Sequence, residues 1–167
     1  YPGLVKNYYR WDGITSVVSK DDKHFRENLQ VGDSTLLSMY GFTLKHGDAR
    51  TALLKPFSAI ITQEKAIKYF GKTDVVGETV SIQSFSGQND PFTITGVLEK
   101  VNGNSVTDLL GNDPNSIFIP VNTLSYFGRE PLDSWNNMFI ASFIELNEGV
   151  QIKDLEKPIA QLVQQNA

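Results

Sequence analysis

Cysteine is missing from the sequence of 167 residues. Its absence excludes a disulfide framework and any cysteine-ligated metal site. Histidine is almost as scarce, and the two that occur, His24 and His46, stand far apart and outside any HExxH sequence. We therefore predict no metal-binding residues, and we expect both histidines to be ordinary surface or partly buried side chains.

Long hydrophobic runs are also absent. The longest, MFIASFIEL at residues 138–146, is interrupted by Ser142 and falls short of the ~18–20 residues that span a bilayer. We interpret this run as a buried strand. No signal peptide is visible, and the chain starts at Tyr1 rather than methionine. These features predict a soluble piece of a longer protein, or a processed product.

An excess of positive charge is missing too. The chain has 15 Lys and Arg against 19 Asp and Glu, a net charge of −4, and its basic residues are scattered. Nucleic acid or an anionic membrane surface is therefore not expected as the main partner. What the chain does have is 40% hydrophobic residues, including ten Phe and six Tyr. This composition supports a real core in one domain or two closely packed subdomains.

The first third of the chain reads as mostly extended. VKNYYRWDGITSVVS at residues 5–19 predicts strand, turn and strand, with Asp12 and Gly13 in the turn. HFRENLQVGD predicts a strand that enters a turn at Gly32 and Asp33. STLLSMYGFTL predicts a short helix followed by an extended segment, although periodicity alone does not decide it, and residues 46–48 predict a turn.

The clearest local signal is a strand followed by a short helix. SAIIT predicts the strand, and Thr62 is placed to cap the helix that follows it. The predicted apolar face of this helix is Ala66, Ile67 and Phe70. Gly71 is expected to end the helix, because glycine adopts the left-handed conformation at little cost.

Alternating residues predict a β-hairpin in the next segment. ETVSIQSF and PFTITGVLEK flank the turn-rich loop SGQNDP. The polar stretch at residues 101–116 is expected to be exposed. IFIPV then predicts a strand in which Pro120 marks an edge or a strand end.

The last segment carries a helical apolar stripe. Pro158 fits if it lies in the first turn of this helix, and deeper in it would kink the helix. The stripe consists of Ile152, Leu155, Ile159, Leu162 and Val163.

Gly71, Lys72 and Thr73 invite a nucleotide-binding interpretation. A phosphate-binding loop requires GxxxxGK[ST] between a strand and a following helix. Here the position five before Gly71 is Ala66, and the predicted helix precedes the glycine, so no helix N-terminus faces the loop. We predict no nucleotide site and no cofactor.

No catalytic set emerges from the remaining polar residues. The acidic pair Asp21 and Asp22 is expected in a solvated turn. None of the serines considered lies in a GxSxG elbow. Glu145 and Glu148 flank a turn without an acidic partner, and the two tryptophans are expected in the core rather than in a ligand pocket. The serines are Ser16, Ser58 and Ser105, and the tryptophans are Trp11 and Trp135.

A collinear set of residues between about Tyr40 and Ser105 is far more specific. In chain order the set is Phe42, Gly47 and Asp48, Ala52 and Leu53, Pro56, Ala59 to Ile61, Ala66, Tyr69 to Gly71, Asp74, Gly77 and Glu78, Thr95 to Val97, and Asn104 with Ser105. This set resembles the extracytoplasmic core domain of MacB-like ABC-transporter permeases. The likeness continues more weakly through IFIPV, SFIELNEGV and the final helix. Val75 and Val101 depart from it, since the family often has proline there.

The resemblance implies an α+β fold, a mixed α/β periplasmic core domain with two subdomains. We assign residues 1–50 and 115–167 to a membrane-proximal subdomain and residues 51–114 to a second one inserted in it. The family's domain lies between the first two membrane helices of a bacterial inner-membrane permease, so both chain ends are expected on one side. The implied partners are the protein's own transmembrane helices, a cytoplasmic ABC ATPase subunit, a second permease copy and a periplasmic adaptor or substrate.

The resemblance further implies a non-catalytic role in which ATP-driven helix motion is coupled to efflux or export. An alternative is an envelope binding or sensory module that recruits a periplasmic partner without transporting substrate. A small hydrolase is a third interpretation, but no nucleophile and base can be paired. Flanking membrane helices and a neighbouring ATPase gene would favour the permease. A linked hydrolase or kinase gene would favour the module that recruits a periplasmic partner.

Overall fold

A computed structural model describes residues 1–100, 106–109, 114–129, 135 and 139–166. Within these residues the chain forms eight strands, three α-helices and two short 3-10 helices. The strands are β1 Val5–Lys20, β2 Lys23–Gly32, β3 Leu44–Gly47, β4 Ser58–Thr62, β5 Thr79–Gln83, β6 Asn89–Leu98, β7 Ile117–Pro120 and β8 Ala141–Leu146. The α-helices are α1 Leu36–Tyr40, α2 Gln63–Phe70 and α3 Lys153–Asn166, and the 3-10 helices are Val106–Asp108 and Val121–Phe127.

Six of the strands close into a ring. The hydrogen-bonded order runs β1, β2, β7, β4, β6, β5 and back to β1. The β2–β7 and β4–β6 pairs are parallel, and the other pairs of the ring are antiparallel. Strand β3 extends β6, and β8 pairs with the first half of β1. Closure leaves few unpaired backbone edges, which are the sites where sheets associate unintentionally.

The main hydrophobic core is built by alternate side chains of all six ring strands. Helix α2 covers this core with Ala66 and Tyr69, and the second 3-10 helix covers it with Leu124 and Phe127. Successive side chains of a strand point to opposite faces, so the six strands can direct one set of residues to a common centre. The strand residues are Ile14, Val18, Leu29, Val31, Ala59, Ile61, Val80, Ile82, Phe92, Ile94, Val97, Ile117 and Ile119.

A second core lies on the opposite face of several of the same strands. Ile60 and Phe118 belong to it, although their neighbours Ile61 and Ile117 belong to the first core. Helix α1 contributes Leu36 and Leu37, and the turn before β4 contributes Ala52 and Leu53. The continuous apolar runs SAIIT and IFIPV are therefore explained by strands that are buried on both faces.

The predicted turn at Asp12 and Gly13 is wrong. Strand β1 runs through both residues, and its register with β2 is unbroken from Trp11 opposite Gly32 to Lys20 opposite Lys23. The turn lies instead at residues 21–22. Pairing with β2 satisfies the backbone at Asp12 and Gly13, so tertiary context overrides the local turn signal.

Burial was mispredicted in three places. Strand β8 is not buried: it lies at an edge, and Ile144 is exposed. On α2 the buried residues are Ala66 and Tyr69, whereas Ile67 is exposed. In the polar stretch, Val106, Thr107 and Asn115 are buried, and residues 101–105 and 110–113 lie outside the described part.

Local signals predicted the strand–helix unit and the hairpin correctly. The side chain of Thr62 accepts a hydrogen bond from the amide of Lys65 at 3.4 Å, and Gly71 ends α2 with φ of 73°. Strands β5 and β6 form the predicted hairpin, Pro120 lies at the end of β7, and the final segment is helical. Pro158 lies inside α3 rather than in its first turn.

The mixed α/β architecture is thus confirmed. The division into two subdomains stays a prediction. Three strands of the ring, β4, β5 and β6, lie within residues 51–114 and pair with strands outside that range.

Candidate functional surface

The first residues of the chain meet the end of β8 and helix α3 on one side of the molecule. The hydroxyl of Tyr1 donates a hydrogen bond to the carbonyl oxygen of Pro158 at 3.3 Å. The backbone amide of Asn147 donates to the carbonyl of Leu4 at 2.9 Å, and its side-chain amide donates to that of Pro2 at 3.0 Å. Residues 1–4, β8 and α3 together form a surface that we call the terminal face.

Strand β1 holds the terminal face together through its first half. Its residues from Val5 to Trp11 pair with β8, with one register shift near Lys6. The ammonium group of Lys6 lies 2.6 Å from a carboxylate oxygen of Glu145. An exposed ion pair of this kind contributes little to stability, so the backbone ladder is what joins the two strands.

The second half of β1 belongs to the ring. From Trp11 onward it pairs with β2, and Val18 and Ser19 pair with β5. One strand of 16 residues therefore runs without interruption from the terminal face into the main core. The ring holds the second half of this strand from both sides, through β2 and β5.

An ion pair anchors β1 at the point where it enters the ring. The guanidinium of Arg10 donates two hydrogen bonds to the carboxylate of Asp33, at 2.6 and 3.0 Å. The backbone amide of Arg10 donates a third to the same carboxylate at 2.8 Å. Asp33 is buried, and bidentate pairs of this geometry are stronger and more directional than single contacts.

A buried charge lies two residues further along the strand. Asp12 faces Arg129, with 3.5 Å between its Oδ2 and the Nε of the arginine, and neither atom hydrogen-bonds to any residue that the structure describes. Burial raises the pKa of Asp12, and Arg129 and the amide of Gly13 oppose this effect. The guanidinium lies over the rings of Phe85 and Phe139, at 5.6 and 5.1 Å from their centres.

A third buried carboxylate holds α2 against the ring. Glu27 on β2 accepts hydrogen bonds from the ammonium groups of Lys65 and Lys68 and from the hydroxyl of Tyr69. Burial alone would raise the pKa of Glu27, but these three hydrogen bonds outweigh it and the pKa is lowered. The ionised carboxylate therefore holds one face of α2 against strand β2.

The Gly-Lys-Thr sequence follows α2 and forms its C-terminal end. Gly71 donates its amide to the carbonyl of Ile67 at 2.8 Å, which is a helix C-cap. Lys72 lies 3.6 Å from Glu78, and the hydroxyl of Thr73 lies 3.4 Å from a ring nitrogen of His46. These contacts join the segment after α2 to Glu78 and His46.

The other residues that the sequence singled out are scattered. The hydroxyls of Ser16 and Ser58 donate to backbone carbonyls, Ser105 lies outside the described residues, and Trp135 is exposed. Trp11 packs at the margin of the second core. No group of three or more His, Asp or Glu that could hold a metal ion was found among the described residues.

Sequence reasoning missed the buried acidic residues Asp12, Glu27 and Asp33, and the half-buried Arg129 that faces Asp12. One signal was available for Glu27, which alternates with Leu29 and Val31 and so shares their inward face. No comparable signal marks Arg129, because its partner Asp12 is remote in sequence.

Solved structures share this fold. A domain described as part of a permease protein from Porphyromonas gingivalis matches with a TM-score of 0.74 and 23% identity, over 99% of this chain and 72% of that one. The extracellular domain of the noncanonic ABC-type transporter YknZ from Gram-positive bacteria matches with a TM-score of 0.68 and 22% identity, over 96% and 75% of the two chains. The periplasmic region of MacB from Actinobacillus actinomycetemcomitans matches with a TM-score of 0.63 and 14% identity, over 97% and 67%.

The architecture is therefore that of extracytoplasmic domains of ABC-type permeases. Residues 4–162 match the model of the MacB-like periplasmic core domain, and the chain belongs to this family. It is a periplasmic or extracytoplasmic part of an ABC-transporter permease, a class of protein that works with membrane helices and an ATPase. The family is one of transporter domains rather than a known catalytic family.

Among curated proteins, no relative with a matching sequence was found. In the described part of the chain, no helix has the length and apolar character needed to cross a membrane.

Proposed function

We propose that this domain couples ATP-driven movement of the permease's membrane helices to the handling of an exported substrate or a partner outside the cytoplasm. In this proposal ATP is hydrolysed by a separate cytoplasmic ABC ATPase subunit, and the domain itself catalyses nothing. A second permease copy and a periplasmic adaptor or substrate complete the set of partners.

The observation that carries the proposal is the unbroken course of β1. Its first residues pair with β8 of the terminal face, and its last residues are part of the ring. A turn at Asp12 and Gly13 would have left a flexible joint between these two parts. Because the strand is continuous and Arg10 is clamped to Asp33, movement at the terminal face is passed on to the whole ring.

The proposal is tested in the full-length permease, reconstituted with its ATPase subunit in lipid nanodiscs. A fluorophore is attached at position 72, where Lys72 is exposed just after the end of α2. Quenchers on the lipid headgroups then report the distance between this position and the membrane surface. We expect ATP to change the quenching, and a catalytically inactive ATPase subunit to abolish the change.

A second pair of probes, at Lys6 and Lys72 of the same domain, shows whether the domain moves as one body. We expect the distance between these two positions to stay constant while the quenching at Lys72 changes. Unchanged quenching through the ATP cycle would contradict the coupling proposal. Movement without export of any tested substrate, together with capture of an envelope enzyme or kinase, would favour the recruiting module instead.

A further inference from the structure

Strand β1 changes its neighbour partway along its length. On the edge opposite β2, it pairs with β8 as far as Trp11 and with β5 only from Val18 onward. Asp12 is the first residue beyond the β8 ladder, and it is buried. It therefore lies where the strand of the terminal face ends and the ring begins.

Arg129 connects Asp12 to both sides of this transition. Its guanidinium lies over the ring of Phe85, in the loop between β5 and β6, and over the ring of Phe139, just before β8. Its Nε faces Oδ2 of Asp12 on β1. One cation therefore joins the start of β8 to two parts of the ring, β1 and the β5–β6 loop.

Stability alone does not account for a carboxylate at this position. Only 5% of the Asp12 side chain is exposed, and within the described part of the chain its Oδ2 has no hydrogen-bond partner. Replacement of a buried ion pair by uncharged residues is often neutral or stabilising. Burial raises the pKa of Asp12 above its ordinary value of 3.8. The charge of Asp12 can therefore change while the domain stays folded.

We propose that Asp12 and Arg129 form a pH-sensitive contact, which holds the start of β8 to the ring while Asp12 is ionised and releases it when Asp12 is protonated. Without a counter-charge, the guanidinium is better solvated by water, and its side chain is already 32% exposed. Its departure removes the cation–π contacts that connect Phe139 to Phe85. Because the domain is extracytoplasmic, Asp12 responds to the pH outside the cytoplasm.

The groups around Asp12 leave Arg129 as the partner that answers to its charge. Arg10 lies two residues earlier on the same face of β1, but its guanidinium is bonded to Asp33. Opposite Asp12 on β2 is the apolar Val31. The loop between β5 and β6 has no titratable side chain, and neither have the two described residues just before β8. Arg129 is the charged group that lowers the pKa of Asp12.

Hydrogen exchange of the full-length permease in nanodiscs tests the proposal, with mass spectrometry of the peptide at residues 139–146. Protection factors, corrected for the intrinsic pH dependence of exchange, are measured from about pH 7.5 to about pH 4.5. We expect the protection of this peptide to fall about fivefold, which corresponds to the loss of a cation–π contact. In Asp12→Asn, protection should be low at every pH, because asparagine is uncharged like the protonated acid.

Asp21→Asn is the matched control. Asp21 is an exposed aspartate in the turn after β1, and its variant should keep the pH profile of the parent. Strands β2 and β4 provide an internal control. Because the folded-state pKa of Asp12 is raised, its protonation stabilises the domain as a whole, so the protection of these two strands should not fall with that of β8.

Four outcomes would overturn the inference. A flat profile in the parent would mean that protonation of Asp12 does not release β8. An equal decline in Asp12→Asn would assign the pH effect to another group. A parallel loss of protection in β2 and β4 would indicate acid unfolding of the whole domain. Arg129→Gln provides the test if Asp12→Asn does not fold: it should give the same low and flat profile, and a parent-like profile would contradict the proposal. None of these readouts depends on transport, so the inference can fail while the proposed function stands.

Discussion

At the scale of single residues, the positions that matter most for stability are those where other residue types do not supply the same backbone conformation or charge. Gly71 is one, because its φ of 73° lies in the left-handed region while its missing side chain would meet open space. Any cost of substitution there is therefore backbone strain rather than a steric clash.

Gly71→Val is expected to destabilise the domain by on the order of 1–2 kcal/mol, because a β-branched residue is strained at positive φ. Thermal unfolding of the two proteins measures the difference. Gly3→Val is the control, since a side chain at Gly3 also meets open space and its φ is not in the left-handed region. Equal midpoints for Gly71→Val and the parent domain would mean that strain at the helix end is negligible.

Glu27 matters through its charge, as Gly71 matters through its backbone conformation. Glu27→Gln should cost about 1.5–3 kcal/mol near neutral pH, the range for hydrogen bonds to a charged group. Because the folded-state pKa of Glu27 is lowered, its contribution is complete above its ordinary value of 4.5 and is lost as the pH falls through the lower folded value. The stability difference between parent and variant should therefore shrink below that pH.

Urea denaturation at a series of pH values measures this dependence. Glu145→Gln is the matched control, because Glu145 also pairs with a lysine but its side chain is 34% exposed, against 5% for Glu27. We expect the control to cost less than about 1 kcal/mol. A Glu27→Gln cost as small as that of the control, or one that does not change with pH, would argue against a stabilising buried carboxylate.

At the scale of elements, the direction of α2 decides what Gly71, Lys72 and Thr73 can do. The helix ends at Gly71, so its carbonyl end rather than its amide end faces the loop. An anion is favoured at a helix N-terminus and disfavoured at its C-terminus.

We expect the isolated domain to give no saturable heat with magnesium-ATP at millimolar concentration in calorimetry. The variant Lys72→Ala should behave identically. Micromolar affinity that disappears in Lys72→Ala would show that the loop binds nucleotide in spite of the helix direction.

The elements also show where sequence reasoning succeeds. Strand β4 and helix α2 were predictable because Thr62 and Gly71 mark the helix ends by local chemistry, independently of the rest of the fold. Strand β1 was not, because the turn signal of Asp12 and Gly13 is local and the strands that override it come from elsewhere in the chain.

The prediction that β8 is buried was wrong for a related reason. The apolar run in β8 looks like a core strand, but position in the sheet decides exposure, and β8 lies at the edge. The closed ring and the ion pair of Asp12 and Arg129 depend on contacts between distant segments. No single window of sequence contains such contacts.

At the scale of the whole molecule, the terminal face predicts how the domain sits on the membrane. Tyr1 lies against α3, so the first residues and the last described helix meet on one side of the domain. This is the arrangement required of an insertion between two membrane helices.

In the full-length permease, single cysteines at Lys6, Asn112 and Gln164 should react with a membrane-impermeant maleimide from the periplasmic side and from no other. Lys6 pairs with Glu145 of the terminal face, Gln164 is in α3, and Asn112 lies outside the described residues. Labelling of any of the three from the cytoplasmic side would contradict the extracytoplasmic placement of the domain.

The closed ring also dictates when the domain can fold. Strand β7, at residues 117–120, lies between β2 and β4, so these two strands have no bridge until residues 117–120 have been made and exported. Strands β1 and β2 can pair early as a local hairpin, but β1 must wait for β8 to complete its other edge. During that interval β2 and β4 present open edges, which is when a nascent sheet is most prone to misassembly. The ring of this domain therefore cannot close before β7 has been made, and the period before β7 arrives is when the domain most needs protection by chaperones.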